Sequence, residues 1–548
     1  MKRIIRLVLA LGILVSVFGC TEVKQEDDIY IFFTSDVHCG VEDNMTMAGV
    51  KSIVDEAKLE HEYVSLVDCG DFLQGGALGS LSKGKFIIDI MNAAGYDIAT
   101  VGNHEFDYGM DILKERMAES NFDYVVSNIK YSGNKENVFA NTAEYIIKDY
   151  GGTKVAFIGV ATPYSITDST PKNFMEGSDY VYNFYSGDDG NELYERVQSV
   201  VDEVRKQRVK YVIALTHLGS EEQYAPFDSI SLISHTSGID VVLDGHSHSV
   251  IVEDKYPNKN GEDVTLSSVG TKLQSVGELI LAKDGNIYTL HIDSHNEQDE
   301  EVIKVVDNAK IEVDKILSES ICNLDYDMKI YDEEGIRIVR TRESTVGNFV
   351  TDAYRTILGT DVAIVNGGGV RSNIMAGEVT YRNLFDVAPF QNNGGSCYAT
   401  GQQIMDALEY GARYTSGIYK LDGNAVGEFG GFLQVSGLKY TIDTSVESSV
   451  MVDDDGMFTG FANDDRKVKD VYVLQNDEYV PIDPEKTYSV GGISYMLFDG
   501  GDGNTIFMNC EKISDNDHVD IEILKQYLNE SGGFNDTYRE TQGRIIIE

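Results

Sequence analysis

Cysteine is scarce in this chain and thinly spread. Of six cysteines in 548 residues, one is Cys20, which closes an apolar run, and the other five are Cys39, Cys69, Cys322, Cys397 and Cys510. An odd number at such wide spacing is not a disulfide framework, and Cys39 and Cys69 read as small packed residues. Positive charge is also short: 45 Lys and Arg stand against 90 Asp and Glu, a formal net charge of -45. Such a field repels polyanions and acidic membranes, which excludes extended binding to nucleic acid. A small phosphorylated ligand is compatible with it where local cations or metal ions reverse the field inside a cleft. Beyond the first twenty residues no hydrophobic run reaches spanning length, no repeat of fixed period is visible, and no low-complexity block interrupts the second half.

The first residues, "MKRIIRLVLALGILVSVFGC", set Lys2, Arg3 and Arg6 ahead of an apolar stretch from Leu7 to Phe18. That is a signal-peptide pattern over residues 1–20, and the Gly-Cys pair at its end is similar to a bacterial lipobox with Cys20 as the lipidated residue. The polar residues 21–28 read as a tether. The expected location is extracytoplasmic, at the cell surface or in the periplasm, by a lipid anchor on Cys20 or after free secretion. The membrane is then a partner only through that anchor. A hydrophobic content of 42% and an aromatic content of 10% describe a globular remainder, long enough for two folded domains.

From residue 29 to 290 short apolar runs alternate with amphipathic segments. "IYIFF", "YVSLV", "YDIATV", "VAFIGVA", "YVIAL" and "IDVVL" read as buried strands, and "GKFIIDIMNAAG" and "GMDILKERMAES" as helices between them. The rhythm argues for an α/β domain over residues 29–298, its strands covered on both faces. Over residues 299–320 Val302, Val306, Ala309, Val313 and Ile316 form one apolar stripe, which predicts a connector helix. Residues 321–548 mix helix and strand with glycine-rich turns and are expected to form a second domain.

The polar clusters of the first domain share one address. "FFTSDVHCG", "LVDCGDFLQGG", "TVGNHEFDYG", "IALTHLGS" and "VVLDGHSHS" each begin where an expected strand stops. Carboxyl ends of parallel strands are where α/β sheets place ligands, so loops distant in sequence can converge on one cleft. Asp36, His38, Asp71, Asn103, His217, His246 and His248 supply carboxylate, amide and imidazole donors suited to divalent metals of intermediate softness. Five of the ten histidines, His38, His104, His217, His246 and His248, fall in these clusters. Any one cluster alone is commonly an ordinary loop; their agreement points to a metal site.

In this order D-x-H, G-D, G-N-H-E-F-D, T-H and G-H-x-H resemble the calcineurin-like metallophosphoesterases. "GNHEFDYG" is similar to their secreted 5'-nucleotidase branch, which includes UDP-sugar hydrolases and 2',3'-cyclic nucleotide phosphodiesterases. The resemblance runs from about residue 29 to the end. It implies a four-layer α/β/β/α catalytic sandwich joined by a helix to an α+β substrate-binding domain. It also implies two divalent ions, with zinc, manganese, cobalt, iron and magnesium all open. Asp71 would bridge them, Asp36, His38 and His248 would complete one site, and Asn103, His217 and His246 the other. A hydroxide between the ions would attack phosphorus. His104 would stabilise the transition state or protonate the departing oxygen, with Asp107 orienting it. Glu105 receives no role; acidic residues before "YGMDILKERM" also suit a helix N-terminus.

In the second domain the resemblance implies a nucleoside reader. "IVNGGGVRSNI" would give Asn366 to the base and Arg371, with Arg340, to a polar wall. Phe390 of "VAPFQNN" would be one face of an aromatic clamp, and Asp502 of "GGDG" a ribose ligand. The second face is ambiguous: counting back from "GGD" gives Met496, with Tyr495 beside it. The expected activity is hydrolysis of nucleoside 5'-monophosphates to nucleoside and phosphate. The alternatives are a cyclic-nucleotide or UDP-sugar hydrolase on the same metal site and, from another class, a surface lipoprotein that binds nucleotide or metal without turnover.

Overall fold

The computed structural model describes residues 27–548 except 170, 177–178, 391, 417–419, 422–423 and 454–456. The expected signal segment and all of the tether but Asp27 and Asp28 lie outside the described residues. Among the described residues no helix is long and apolar enough to cross a membrane. The chain divides into two compact units, Met1–Ala309 and Lys310–Glu548.

In the first unit the strands are β1 (Ile29–Thr34), β2 (Tyr63–Asp68), β3 (Ile98–Ala99), β4 (Asp123–Tyr124), β5 (Tyr145–Tyr150), β6 (Thr153–Ala161), β7 (Tyr211–His217), β8 (Val241–Asp244), β9 (Val250–Pro257), β10 (Asp263–Val269), β11 (Val276–Leu281) and β12 (Ile287–Ile292). They build two six-stranded sheets, in the order β12-β11-β1-β2-β3-β4 and β9-β10-β8-β7-β6-β5. β1 to β4 run parallel, as do β6, β7, β8 and β10, while β5, β9, β11 and β12 are antiparallel additions.

The alternation of side chains along each strand sorts the core into three seams. Ile29, Ile31 and Phe33 of β1 pack with Phe157 of β6 and Ile213 and Leu215 of β7 between the sheets. Phe32 and Leu66 face the opposite way, toward helices α1 (Met47–Glu60), α2 (Lys85–Ala94) and α3 (Met110–Glu119). Ala156, Ile158, Val212 and Ala214 face α4 (Asn191–Lys206) and α5 (Ser229–His235). The first unit is thus helix, sheet, sheet, helix.

Both expected helices occur, as α2 and α3. α2 stops at Gly95, whose φ of 80° is the left-handed cap glycine adopts freely. The expected strand "YDIATV" is only two residues long, because the chain leaves the sheet at Val101 to build a loop. The expected connector segment folds as helix α6 (Glu300–Leu317). Its buried stripe is Val302, Val306, Ala309, Val313 and Leu317; Ile316, expected there, is 38% exposed. Steps of three and four from Val313 both stay near the apolar face, so packing around the helix and not its period selects Leu317.

The second unit centres on β13 (Val362–Asn366), β14 (Asn393–Thr400), β15 (Leu433–Ser436), β16 (Thr487–Ile493) and β17 (Glu511–Val519), paired in the order β15-β13-β16-β14-β17. Only β13 and β16 pair in parallel. Helices α7 (Thr345–Leu358), α8 (Gly401–Ala412) and α9 (Asp520–Ser531) complete it, with a smaller four-stranded sheet. α7 and α8 start on Ser344 and Thr400, whose hydroxyls accept from the third residue on.

Candidate metal centre

The loops after β1, β2, β3, β7 and β8 meet at one end of the two sheets and bring three overlapping groups together. Asp36, His38 and His248 form one; His38, Asp71 and His104 a second; Asp71, His217 and His246 a third, the ligand atoms within each lying within 4.8 Å of one another. Asp71 Oδ2 lies 3.1 Å from His217 Nε2 and 3.8 Å from His38 Nε2. Asp36 Oδ1 lies 3.5 Å from His248 Nε2 and 3.8 Å from His217 Nε2. The Nε2 atoms of His38 and His248 approach to 3.2 Å.

The backbone is bent to this purpose. Asp36, His38, Asp71, His246 and His248, five of the seven expected ligands, hold φ between 44° and 78°. Left-handed backbone at non-glycine residues costs about 1 kcal/mol or more each and concentrates at functional sites. The loops also touch: a Cβ on Gly102 would lie 2.2 Å from Asp71 Oδ1 and 2.7 Å from the His217 ring. No other residue fits there.

Hydrogen bonds behind the ligands fix their direction. His217 Nδ1 meets Cys69 O at 2.8 Å and His38 Nδ1 meets Gln74 O at 3.2 Å, which turns both Nε2 atoms inward. Asn103 Oδ1 and His246 Nε2 are buried with no hydrogen-bond partner, and His217 Nε2 has only the Asp71 and Asp36 carboxylates beside it. Buried polar atoms rarely stay unsatisfied. Two nitrogens and an amide oxygen beside a carboxylate are the donor set of a divalent cation, so the residues fit the metal site expected of them.

Charge in the centre is balanced among its own side chains. Burial drives the Asp36 carboxyl up, and Asp71 adds to this while His217 opposes it. Asp71 is buried too, but His217, His104 and His38 outweigh desolvation and hold it well below the carboxylate range. Burial lowers His38 to about 4 and His246 to about 3, so both rings are neutral near pH 7, the form that donates to a metal.

His104 stands on a short helical turn, His104–Phe106, beside this cluster. Its Nδ1 lies 2.7 Å from Asp107 Oδ2, and Ser169 Oγ donates to Asp107 Oδ1 at 2.8 Å. Burial lowers its value, but Asp71 and Asp107 prevail and raise it to about 9. The ring is therefore a proton donor with Nδ1 held and Nε2 free of that pair.

Sequence reasoning missed three residues here. Glu105 is buried, and its carboxylate accepts from the N–H groups of Phe72 and Leu73 on one oxygen and of Asp71 and Gly102 on the other, at 2.6 to 3.0 Å. It clamps the Asp71 loop to the Asn103 loop. Ser169 supports Asp107, and Asp168 Oδ2 lies 3.8 Å from His246 Nε2. Their segment carries none of the strand-end spacing that exposed the other residues. Cys39 and Cys69 are buried thiols donating to Phe72 O and Leu243 O.

In the second unit Asn366 Nδ2 donates to Asp502 Oδ2 at 2.6 Å, and Tyr410 Oη donates to Asp502 O at 2.7 Å. Burial, with Arg337 and Arg371 nearby, pulls the Arg340 guanidinium below its ordinary value, while Glu428 and Asp502 oppose. The Arg371 guanidinium lies 5.6 Å from the Phe390 ring centroid. Phe390 is 57% exposed and Tyr495 42%, whereas Met496 is 1% exposed. Of the two residues in register for a second clamp face, only Tyr495 presents its side chain, and its hydroxyl accepts from Asp502 N–H at 3.1 Å. The glycine run after Asn366 serves packing: a Cβ on Gly367 would lie 2.2 Å from Val339 O.

The chain thus joins a double-sheet sandwich, carrying a His/Asp/Asn cluster at its strand ends, to a separate mixed α/β unit. Residues 328–509 match the family model described as 5'-nucleotidase, C-terminal domain, and residues 65–261 match the family model described as bacterial capsule synthesis protein PGA_cap. The chain is 27% identical to the trifunctional nucleotide phosphoesterase protein YfkN of Bacillus subtilis, over 94% of this chain but 35% of that protein, so it spans about a third of that relative. It is 26% identical to the snake venom 5'-nucleotidase of Gloydius brevicauda, over 95% of this chain and 89% of the other, and 26% identical to the 5'-nucleotidase of Bos taurus, over 94% and 90%. The 5'-nucleotidase precursor of Thermus thermophilus shares the fold with a TM-score of 0.57 at 24% identity, covering 95% of this chain and 99% of that one. The NAD nucleotidase of Haemophilus influenzae does so with 0.56 at 19%, covering 95% and 99%.

Proposed function

We propose that the protein is an extracytoplasmic, metal-dependent phosphohydrolase that releases phosphate from nucleoside 5'-monophosphates. The observation that carries this reading is the shared carboxylate: Asp71 Oδ2 lies 3.8 Å from His38 Nε2 and 3.1 Å from His217 Nε2, beside buried Asn103 Oδ1 and His246 Nε2 without hydrogen-bond partners. In this reading Asp36, His38, Asp71 and His248 hold one ion, and Asp71, Asn103, His217 and His246 the other. Bound there, two divalent cations neutralise phosphoryl oxygens and make water nucleophilic near neutral pH.

The remaining steps belong to the protein. His104 donates a hydrogen bond to a phosphoryl oxygen or a proton to the departing ester oxygen, and Asp107 keeps its ring in the productive tautomer. Phe390 and Tyr495 stack the base, Asn366 and Asp502 hold base and ribose, and Arg340 and Arg371 line the wall. The names of the relatives along most of their length support the substrate class. YfkN and the NAD nucleotidase keep diesters and pyrophosphates as the second reading.

The test is phosphate release from AMP, UMP, UDP-glucose, cyclic AMP and an aryl phosphate, with manganese, zinc, magnesium or cobalt supplied. Hydrolysis of the monophosphates above the others is the expected result. His104→Ala should lower kcat by about 10²- to 10⁴-fold with bound metal unchanged. No release from any ester would instead make the chain a binding module.

A further inference from the structure

The second unit holds three thiols that the reaction does not use, Cys322, Cys397 and Cys510, and the last two are neighbours at its central sheet. Cys397 lies in β14, fully buried, and Cys510 directly precedes β17 with its side chain partly exposed. The antiparallel register sets Cys397 opposite Lys512 and Tyr398 opposite Glu511. Cys510, two residues before Lys512, therefore shares the sheet face of Cys397 as a diagonal neighbour. The two side chains are hydrogen-bond neighbours. Gln403 Nε2 also donates to Cys510 Sγ, at 3.3 Å.

The position of the pair gives it a consequence. The segment from Ser494 to Cys510 carries Tyr495, Phe498 and Asp502. It leaves the sheet after Ile493, which opposes Gly394 of β14, and returns at Glu511, which opposes Tyr398 of the same strand. Cys510 is the return point. A covalent bond from it to Cys397 would anchor that end of the segment to the central sheet and remove the freedom of a long stretch of chain from the unfolded state.

We propose that Cys397 and Cys510 are a disulfide-forming pair that exchanges with a small-molecule disulfide. Cys510 reacts first, being the more accessible of the two thiols; burial raises both above the ordinary thiol value, Cys397 further, to about 12, while the hydrogen bond from Gln403 partly offsets the rise at Cys510. After losing its proton it attacks one sulfur of the external disulfide, and the other sulfur leaves as a thiolate. Cys397, deprotonated in turn, attacks Cys510 Sγ and expels the second external thiolate. Two protein thiols are oxidised, one external disulfide is reduced to two thiols, and the two protons end on those thiols.

The test uses the full chain and oxidised glutathione as probe. The protein is incubated with it, denatured in excess iodoacetamide and digested without reductant. The expected result is a peptide joining Cys397 to Cys510, about 2 Da lighter than its two parts, with neither cysteine alkylated and both recovered after dithiothreitol. Cys397→Ser should stop at one glutathione adduct on Cys510. Amide exchange of residues 499–510 should slow in the oxidised wild type. Alkylation of both cysteines after oxidation, or a bridge from either one to Cys322, would overturn the proposal, and that readout on the wild-type chain needs no variant to fold.

Discussion

Each oxygen of the Glu105 carboxylate accepts two backbone N–H groups, so no rotamer of a glutamine can satisfy all four donors. Glu105→Gln turns one amine toward two N–H groups in a buried site. At about 1–3 kcal/mol for each buried group left unpaired, the first unit should lose on the order of 2–4 kcal/mol. The effect on function is more specific. The same four donors set the distance between the Asp71 and Asn103 loops, so the affinity for added manganese or zinc should fall about 10- to 100-fold, as for other residues that orient metal ligands. Competition with a chromophoric chelator measures this. Unchanged affinity in a folded variant would reduce Glu105 to a structural residue.

At the scale of elements, helix α9 contains a conflict that sets a pH dependence. Asp520 stands in its first turn, where the helix dipole favours a carboxylate, and it accepts from Ile521 N–H at 2.8 Å and Asn392 N–H at 3.2 Å. Burial nevertheless wins and raises it to about 7. An acid whose folded value lies above its unfolded value, about 3.9, costs no stability below pH 4. Stability then falls as pH rises toward 7, where the unfolded chain is ionised and the folded one is not, and levels off above. The loss approaches about 4 kcal/mol. Asp520→Asn removes this slope. Urea midpoints of the two proteins between pH 5 and 8 should converge toward low pH, after allowance for the lost N–H acceptor, and a constant difference across that range would count against the assignment.

The same contrast between local and distant forces decides how much the sequence discloses. Ile29, Ile31 and Phe33 alternate with Phe32, and the metal donors sit at the ends of such runs, so strands and candidate ligands are visible as spacing along the chain. Glu105 has no such spacing: its four partners lie up to 34 residues away and are backbone atoms, whose identity leaves no trace in the sequence. The register that presents Tyr495 and buries Met496 is likewise set by packing around the Asp502 turn. Ile316 and Leu317 differ by one residue, and only the neighbours of the helix choose between them.

At the scale of the whole molecule, the first unit concentrates carboxyl groups where they can least be hydrated. Asp36, Asp68, Asp71, Glu105 and Asp244 are all buried at the strand ends, in a chain already at -45. Burial pushes Asp68 well above the carboxylate range and Asp244 up to about 6. The left-handed backbone at five of the expected ligands adds strain to this repulsion. A cation held by Asp36 and Asp71 relieves the repulsion in the folded state and in no unfolded one, so metal binding should appear as stability of the first unit. By mass action, a metal ion at a hundred times its Kd adds about 2.7 kcal/mol. Calorimetry of the chelator-treated protein should therefore show the transition of residues 27–309 rising when manganese or zinc is restored, while that of residues 310–548 stays in place. Asp71→Asn should abolish the shift. A rise of both transitions together, or of neither, would mean that the stabilising site is not the one at these strand ends.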